Sequence, residues 1–239
     1  EDLHALRWAV PRSRSQVVGN GTDLTRFRFD PRGREAIRRE LGLGDDELLV
    51  GSVGRQVAEK GIREFVTAAG SLGDRARFVW VGPEDPDKAD AFEHHGGIVR
   101  FVGMRDELPS WYAAFDVFVL PSYREGFSRS AMEAASCATA MVLSDIRGCR
   151  EIGEDGEHVL LVPPRDPSAL IAAIGRLLDD PELRERLAAA AHARAHQHFD
   201  QRRIAAASIA TYSAVARRRG SPASDLLTAR WHAVQGLLS

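Results

Sequence analysis

A chain of 239 residues, 44% hydrophobic and 28% charged, can bury one sizeable core with a helical appendage but not two full domains. Its formal net charge of -2, from 32 basic and 34 acidic residues, gives no general electrostatic case for nucleic acid or an anionic membrane surface, so any anion site has to be local. Cys137 and Cys149 are too few for a disulfide framework and lack metal-ligand spacing; with no signal-peptide pattern and no apolar run near the roughly 18 to 20 residues that span a bilayer, the reading is a soluble, cytoplasmic chain.

Taken in chain order, short apolar runs rich in β-branched residues at 47–54, 76–82, 98–103, 116–122, 140–145 and 157–164 predict six buried strands. Helical patterns at 60–72, 86–95, 106–115 and 129–138, with a shorter piece near 147–152, fall between them. That alternation predicts right-handed βαβ units and a parallel sheet covered on both faces, an α/β doubly wound class. From Asp166 the strands stop. Helices at 167–179, 181–197 and 201–218 follow, punctuated by Asp-Pro at 166–167 and 180–181, and a Gly-Ser-Pro break at 220–222 precedes a last helical segment.

Ligands of open parallel sheets bind at the carboxyl ends of the strands, so the loop after each strand is where chemistry is expected. In "GSVGRQVAEKGI" Gly54 and Arg55 leave the first strand and Lys60-Gly61 open a helix, two cations beside a helix N-terminus that already favours an anion. An Arg fork and a Lys point charge suit two adjacent phosphoryl groups. The bland alternative is that both are surface charges, with Lys60 paired to Glu64 at i, i+4 spacing. The loop matches neither G-x-G-x-x-G nor G-x-x-x-x-G-K-[ST].

The second loop is "YREGFSRSAMEAASC", residues 123–137. Gly126 permits close approach to a ligand, and a helix beginning near Ser128 or Arg129 again presents N–H groups. Glu133, among Ala and Met, is costly to bury unless donors satisfy it, and a vicinal diol such as a ribose would do so bidentately. Glu125 could accept from the hydroxyls of a more distal sugar. Ser122-x-x-Glu125 and Ser130-x-x-Glu133 also fit capping boxes, a structural alternative.

A third loop, "RFVGMRDELPSWY", leaves its strand through Val102, Gly103 and Met104, whose backbone edges could meet a base; Asp106 is a candidate cap for the helix that holds Trp111 and Tyr112, which read as core. Asp85-Pro86-Asp87 mimics the D-x-D of metal-dependent transferases but reads better as capping chemistry. His94-His95 shows no ligand spacing.

With the three loops in order, the chain resembles the C-terminal, donor-binding half of a retaining glycosyltransferase of the GT-B fold, family 4. The resemblance runs from "VVGNGTDLTRF" (17–27) through "GRQVAEKG", "VGPEDPD", "FVGM", "WYAAFDVFVLPSYREGFSRSAMEA", "SDIRGCREI" and "EDGEHVLLVPPRDPSAL" to "HQHFD" (196–200). It implies a Rossmann-like sheet over 22–200, an N-terminal segment and linker over 1–21 with Gly19, Asn20 and Gly21 at the junction, and C-terminal helices over 201–239 that strap the two halves of the fold. By the same resemblance Arg55 and Lys60 hold the donor diphosphate, Glu133 the ribose, and Glu125 the sugar together with the backbone of Gly126 and Phe127. The N–H groups of Ser128 and Arg129 face the phosphates. The catalytic set is Arg55, Lys60 and Glu125; Gly54 and the stretch Val102–Met104 complete the donor site.

The implied activity is sugar transfer from a nucleotide-diphosphate sugar, UDP preferred, with retention and without a metal or other cofactor. The acceptor site belongs to an N-terminal domain supplied in cis or in trans, through which membrane association would come, and the 239-residue chain alone is expected not to transfer sugar. Departures are Ala138 for the usual Gly, Ala140 for Pro and Phe115 for Ala, which could shift the helix end and the neighbouring strand but remove no charged ligand. The alternatives are a non-catalytic nucleotide-sugar-binding module and a dinucleotide-binding oxidoreductase domain, the latter lacking its glycine fingerprint.

Overall fold

The computed structural model describes residues 19–85 and 97–218, with side chains to residue 215. The chain divides into two compact units, one of residues 24–198 and a smaller one that joins residues 19–23 to the segment from Phe199 onward.

In the larger unit the strands are β1 (Leu49–Val53), β2 (Arg77–Val81), β3 (Val99–Phe101), β4 (Val117–Leu120), β5 (Ala140–Ser144) and β6 (Leu160–Val162). The helices are α1 (Pro31–Leu41), α2 (Ile62–Leu72), α3 (Leu108–Ala114), α4 (Arg129–Ser136), α5 (Arg147–Arg150), α6 (Pro167–Asp179) and α7 (Pro181–His198), with a 3-10 turn at Ala58–Lys60 before α2. All strand pairs are parallel, in the order β3-β2-β1-β4-β5-β6. This is the doubly wound, Rossmann-like sheet that the alternating pattern predicts. Its order reverses between β1 and β4, where the connections leave in opposite directions and open a crevice at the carboxyl edge.

Both faces of the central strands are covered, which is why these runs are continuously apolar rather than alternating. On one face Val50, Phe78, Trp80, Val117, Val119 and Val142 pack with Ile62, Phe65, Ala68 and Ala69 of α2 and Leu170, Ile174 and Leu177 of α6. Phe65 meets Phe78 and Trp80 edge to face at 5.5 and 5.3 Å. On the other face Tyr112 of α3 contacts Phe118 edge to face at 5.7 Å, and Phe115 fills the space above Gly51, where an added Cβ would come within 2.2 Å of its ring.

The sequence reading assigns no helix between 22 and 46, yet α1 forms there. Its signal is the same Asp-Pro start used by α6, with Pro31 in the first turn, and Gly42 closes it with a φ of 71°. The Arg-rich face of α1 stitches the amino edge of the sheet. Arg34 and Arg38 donate to Asp116 Oδ1 and Oδ2 at 2.7 and 3.2 Å, and the Leu49 N–H donates to Asp116 Oδ2 at 2.7 Å. Two further expectations need correction. Asp106 does not cap α3, whose N-cap is Glu107 with no side-chain hydrogen bond and Pro109 in the first turn. The short helix near 147–152 closes at Arg150. The helix expected at 86–95 and the segment beyond 218 lie outside the described residues.

Ala138 directly follows the C-cap of α4, Cys137. It takes the left-handed conformation itself, φ 57°, while its N–H donates to Ala135 O at 3.0 Å and the Thr139 N–H to Ala134 O at 3.1 Å, a Schellman closure without glycine. Ala140 opens β5 opposite Val117. In the smaller unit Thr22 and Asp200 form a parallel bridge, and α8 (Gln201–Arg218) follows.

Candidate functional site at the carboxyl edge of the sheet

The loops after β1 and β4 flank the switch point and are bound to each other. The Tyr123 N–H donates to Glu59 O at 2.9 Å. Gly61, φ 72°, lets α2 begin against Pro121, where an added Cβ would lie 2.0 Å from the carbonyl oxygen. From the other side Gly148 backs the second loop: a Cβ there would meet Glu125 O at 2.6 Å, and its own carbonyl accepts from the Ser128 N–H at 3.4 Å.

This arrangement brings Lys60 and Glu125 together. Lys60 Nζ lies 2.5 Å from Glu125 Oε1, which also accepts from Ser122 Oγ at 2.8 Å. The side chains are 24% and 12% exposed, so the pair is partly withdrawn from water while remaining reachable. The i, i+4 alternative for Lys60 fails, because Glu64 turns to the Tyr123 hydroxyl instead. Arg55 stands further out, 52% exposed, and pairs with Asp85 Oδ2 at 2.8 Å. Asp85 is the first acid of the D-x-D look-alike; its other two residues lie outside the described part of the chain.

Helix α4 points its N-terminus at the same edge. Ser128 is the N-cap, its Oγ accepting from the Ala131 N–H at 3.2 Å, and Arg129 begins the helix on the exposed side. Gly126 is exposed and an added Cβ there would meet no atom within 4 Å, whereas Phe127 is half-buried. Because the cap is Ser128 and not Ser130, Glu133 is not the acid of a capping box. It is buried, and its Oε2 accepts from the Tyr112 hydroxyl at 2.9 Å. Burial raises its carboxyl above the ordinary range, opposed by the Tyr112 hydrogen bond and by the charges of Arg129 and Arg26.

On the β3 side the three loop carbonyls and amides interlock. The Gly54 N–H donates to Val81 O at 2.9 Å and the Gly82 N–H to Gly103 O at 2.8 Å, so Gly54 and Gly103 belong to one rim. Val102 and Gly103 are half-buried and Met104 is 72% exposed.

Sequence reasoning does not reach the long-range partners of these candidate residues. Tyr112 was read as core, which it is, but its hydroxyl reaches Glu133 from 21 residues away, and no local spacing signals that. Asp85, Glu64 and Tyr123 join the site region in the same long-range way, whereas Ser122 meets Glu125 at the three-residue spacing that the sequence flags as a capping box. The two thiols supply no nucleophile: burial pushes Cys137 and Cys149 up to about 12. Among the described residues no cluster of three or more His, Cys, Asp or Glu is arranged to hold a metal ion, and no helix is long and apolar enough to cross a membrane.

A family model described as Glycosyl transferases group 1 matches residues 47–180. A D-inositol 3-phosphate glycosyltransferase of Xylanimonas cellulosilytica is 34% identical over 233 residues, covering 92% of this chain and 55% of its own length. A glycogen synthase of Mycobacterium tuberculosis is 34% identical over 215 residues, 86% of this chain and 50% of that protein. Sucrose-phosphate synthase from Thermosynechococcus elongatus superposes with a TM-score of 0.77 at 31% identity, over 90% of this chain and 56% of that one. Anabaena Alr3699/HepE, solved with UDP and glucose, shares the fold with a TM-score of 0.79 at 24% identity, over 87% and 59% of the two chains. The chain spans about half the length of the curated relatives it matches.

Proposed function

Because the chain belongs to the glycosyl transferases group 1 family, we propose that its carboxyl-edge crevice holds the nucleotide-sugar donor of a retaining, metal-independent transferase, with a UDP-sugar as donor. The observation that carries the reading is the Lys60–Glu125 pair at the β1/β4 switch point, a cation and an acid held 2.5 Å apart beside the N-terminus of α4. A diphosphate offers oxygens to Lys60, to Arg55 and to the helix N–H groups. The sugar beyond it offers hydroxyls to Glu125, and the ribose before it offers a diol to Glu133. The base lies along Val102, Gly103 and Met104.

The chemistry follows from charge. When the anomeric bond breaks, the leaving nucleoside diphosphate gains negative charge, and fixed cations and helix N–H groups stabilise that charge without reorganising. Such groups fill the electrostatic role that a divalent ion plays elsewhere. The acceptor and its site are assigned to a further domain in cis or in trans, since positioning two substrates accounts for about 7 to 11 kcal/mol of a bimolecular barrier.

The test is calorimetry of the 239-residue chain with UDP, GDP, ADP and TDP in EDTA. Binding of UDP is expected, weakened at least tenfold by Lys60→Ala. No heat from any of the four with a folded protein removes the reading, and binding only after a divalent ion is restored removes its metal-independent part.

A further inference from the structure

Glu64 sits on the core side of α2 and is 9% exposed. Its Oε1 accepts the Tyr123 hydroxyl at 2.7 Å, while its Oε2 is buried without a hydrogen-bond partner among the described residues. Burial and the bond to Glu64 push the Tyr123 phenol up to about 12, so its proton stays in place as the donor across the physiological range. A half-satisfied buried acid is a poor stabilising device, since two apolar side chains of similar volume would serve the core as well.

What the pair does achieve is geometric. Tyr123 precedes Glu125 by two residues, and its backbone N–H is bonded to the carbonyl of Glu59, the residue before Lys60. The Arg165 guanidinium covers the Tyr123 ring, 4.5 Å from its centroid. Arg165 holds a φ of 62°, a conformation unfavourable for a residue with a Cβ. Three carboxyl-edge segments, those after β1, β4 and β6, therefore meet at one tyrosine.

We propose that Tyr123 is a positioning residue: held between Glu64 and Arg165, it fixes the loop of Glu125 against the turn of Lys60 and so sets the spacing between the diphosphate-binding cation and the sugar-binding acid. The assignment of those two ligands rests on the function proposed above; the clamp itself does not.

Lys60 and Lys88 are the two lysines of the chain, so amine acetylation resolved by mass spectrometry reads the release of Lys60 against an internal reference without any ligand. Tyr123→Phe is expected to raise the Lys60 to Lys88 labelling ratio at least threefold. The double variant Tyr123→Phe with Glu64→Leu, which removes the buried acid along with its donor, should recover thermal stability yet keep the raised ratio. Glu64→Gln, whose amide oxygen still accepts the hydroxyl, should label like the wild type. With UDP and UDP-glucose as probes, the affinity gain from the sugar should fall at least fivefold in both Tyr123 variants while UDP affinity stays within twofold. An unchanged ratio in Tyr123→Phe overturns the proposal. So does a ratio that rises only as stability falls and returns to the wild-type value in the double variant. If the wild type binds neither probe, the donor-site reading fails, and the labelling ratio still decides the clamp.

Discussion

The Tyr112 hydroxyl donates to Glu133 Oε2 at 2.9 Å between α3 and α4, so the acid that the sequence marks as a ribose ligand is held from beneath by a fully buried phenol. Desolvation first, then the Glu133 charge, raises the Tyr112 phenol well above its usual range, which keeps it a donor. A ligand arriving from the crevice would meet a carboxylate oriented in advance, without an entropic cost for aligning it.

The first expectation is for Glu133→Gln. The amide keeps the size of the side chain and an oxygen for Tyr112 but loses the charged acceptor, and charge-assisted hydrogen bonds contribute about 1.5 to 3 kcal/mol. UDP affinity by calorimetry should fall about 10- to 100-fold. The melting temperature should hold or rise, because a buried charge has been removed. Lost stability with retained affinity would make Glu133 a structural acid and no more.

The second concerns pH, with opposite signs for affinity and stability. The folded-state pKa of Glu133 is raised above its ordinary value of 4.5, burial being the largest cause. A raised folded pKa means that the folded chain takes up the proton first as pH falls. The Glu133 contribution to stability is therefore greatest below about 4.5 and is lost as pH rises through the folded value. In the proposed donor site the ionised form accepts from the ribose, so on that proposal UDP affinity should weaken over the same window as pH falls. The measured quantity is the difference between wild type and Glu133→Gln in pH-dependent melting and titration calorimetry, which isolates this one group. Parallel rather than opposed trends in that difference would refute the assignment.

Why some of this was legible and some was not has a physical basis. Continuous apolar runs such as "DVFVLPS" announce buried strands, and ligands of parallel sheets are sought in the loops after them, so position nominates Lys60, Glu125 and Glu133 as candidates. Helix α1 was missed because only Gly33 and Ile37 on it are buried, leaving an Arg-rich stretch without a readable stripe. Whether Glu133 is the acid of a capping box turns on a two-residue difference in helix start, Ser128 against Ser130, which spacing does not resolve. Partners such as Tyr112 and Glu64 are set by tertiary contact between elements far apart in sequence, and no local pattern encodes them.

The third expectation tests the departure at Phe115. Its ring occupies the space that a side chain at position 51 would need, with Cε1 2.2 Å from an added Cβ. Gly51→Ala in the middle of β1 should cost about 1 to 3 kcal/mol by overpacking. Phe115→Ala alone should cost about 3 to 5 kcal/mol by leaving a cavity. Denaturant titration of the double variant should show a loss smaller than the sum by at least 0.5 kcal/mol, the coupling expected of residues in contact. Strict additivity would mean that the sheet accommodates the methyl elsewhere.

The last expectation concerns Ala138, where the sequence departs from glycine and the backbone does not. The Schellman closure of α4 requires a left-handed residue after Cys137, and Ala138 supplies it at a φ of 57°. For a residue with a Cβ that conformation costs about 1 to 2 kcal/mol. Glycine would remove the cost but adds freedom to the unfolded chain worth about 0.4 to 1 kcal/mol, so the two effects oppose and the first is larger. Ala138→Gly should therefore stabilise by about 1 kcal/mol, a rise of about 2 to 4 °C in melting temperature for a chain of this length. UDP affinity should be unchanged, because position 138 lies at the opposite end of α4 from Ser128 and Arg129. A fall in melting temperature would show that the Ala138 methyl has a packing role exceeding its backbone strain.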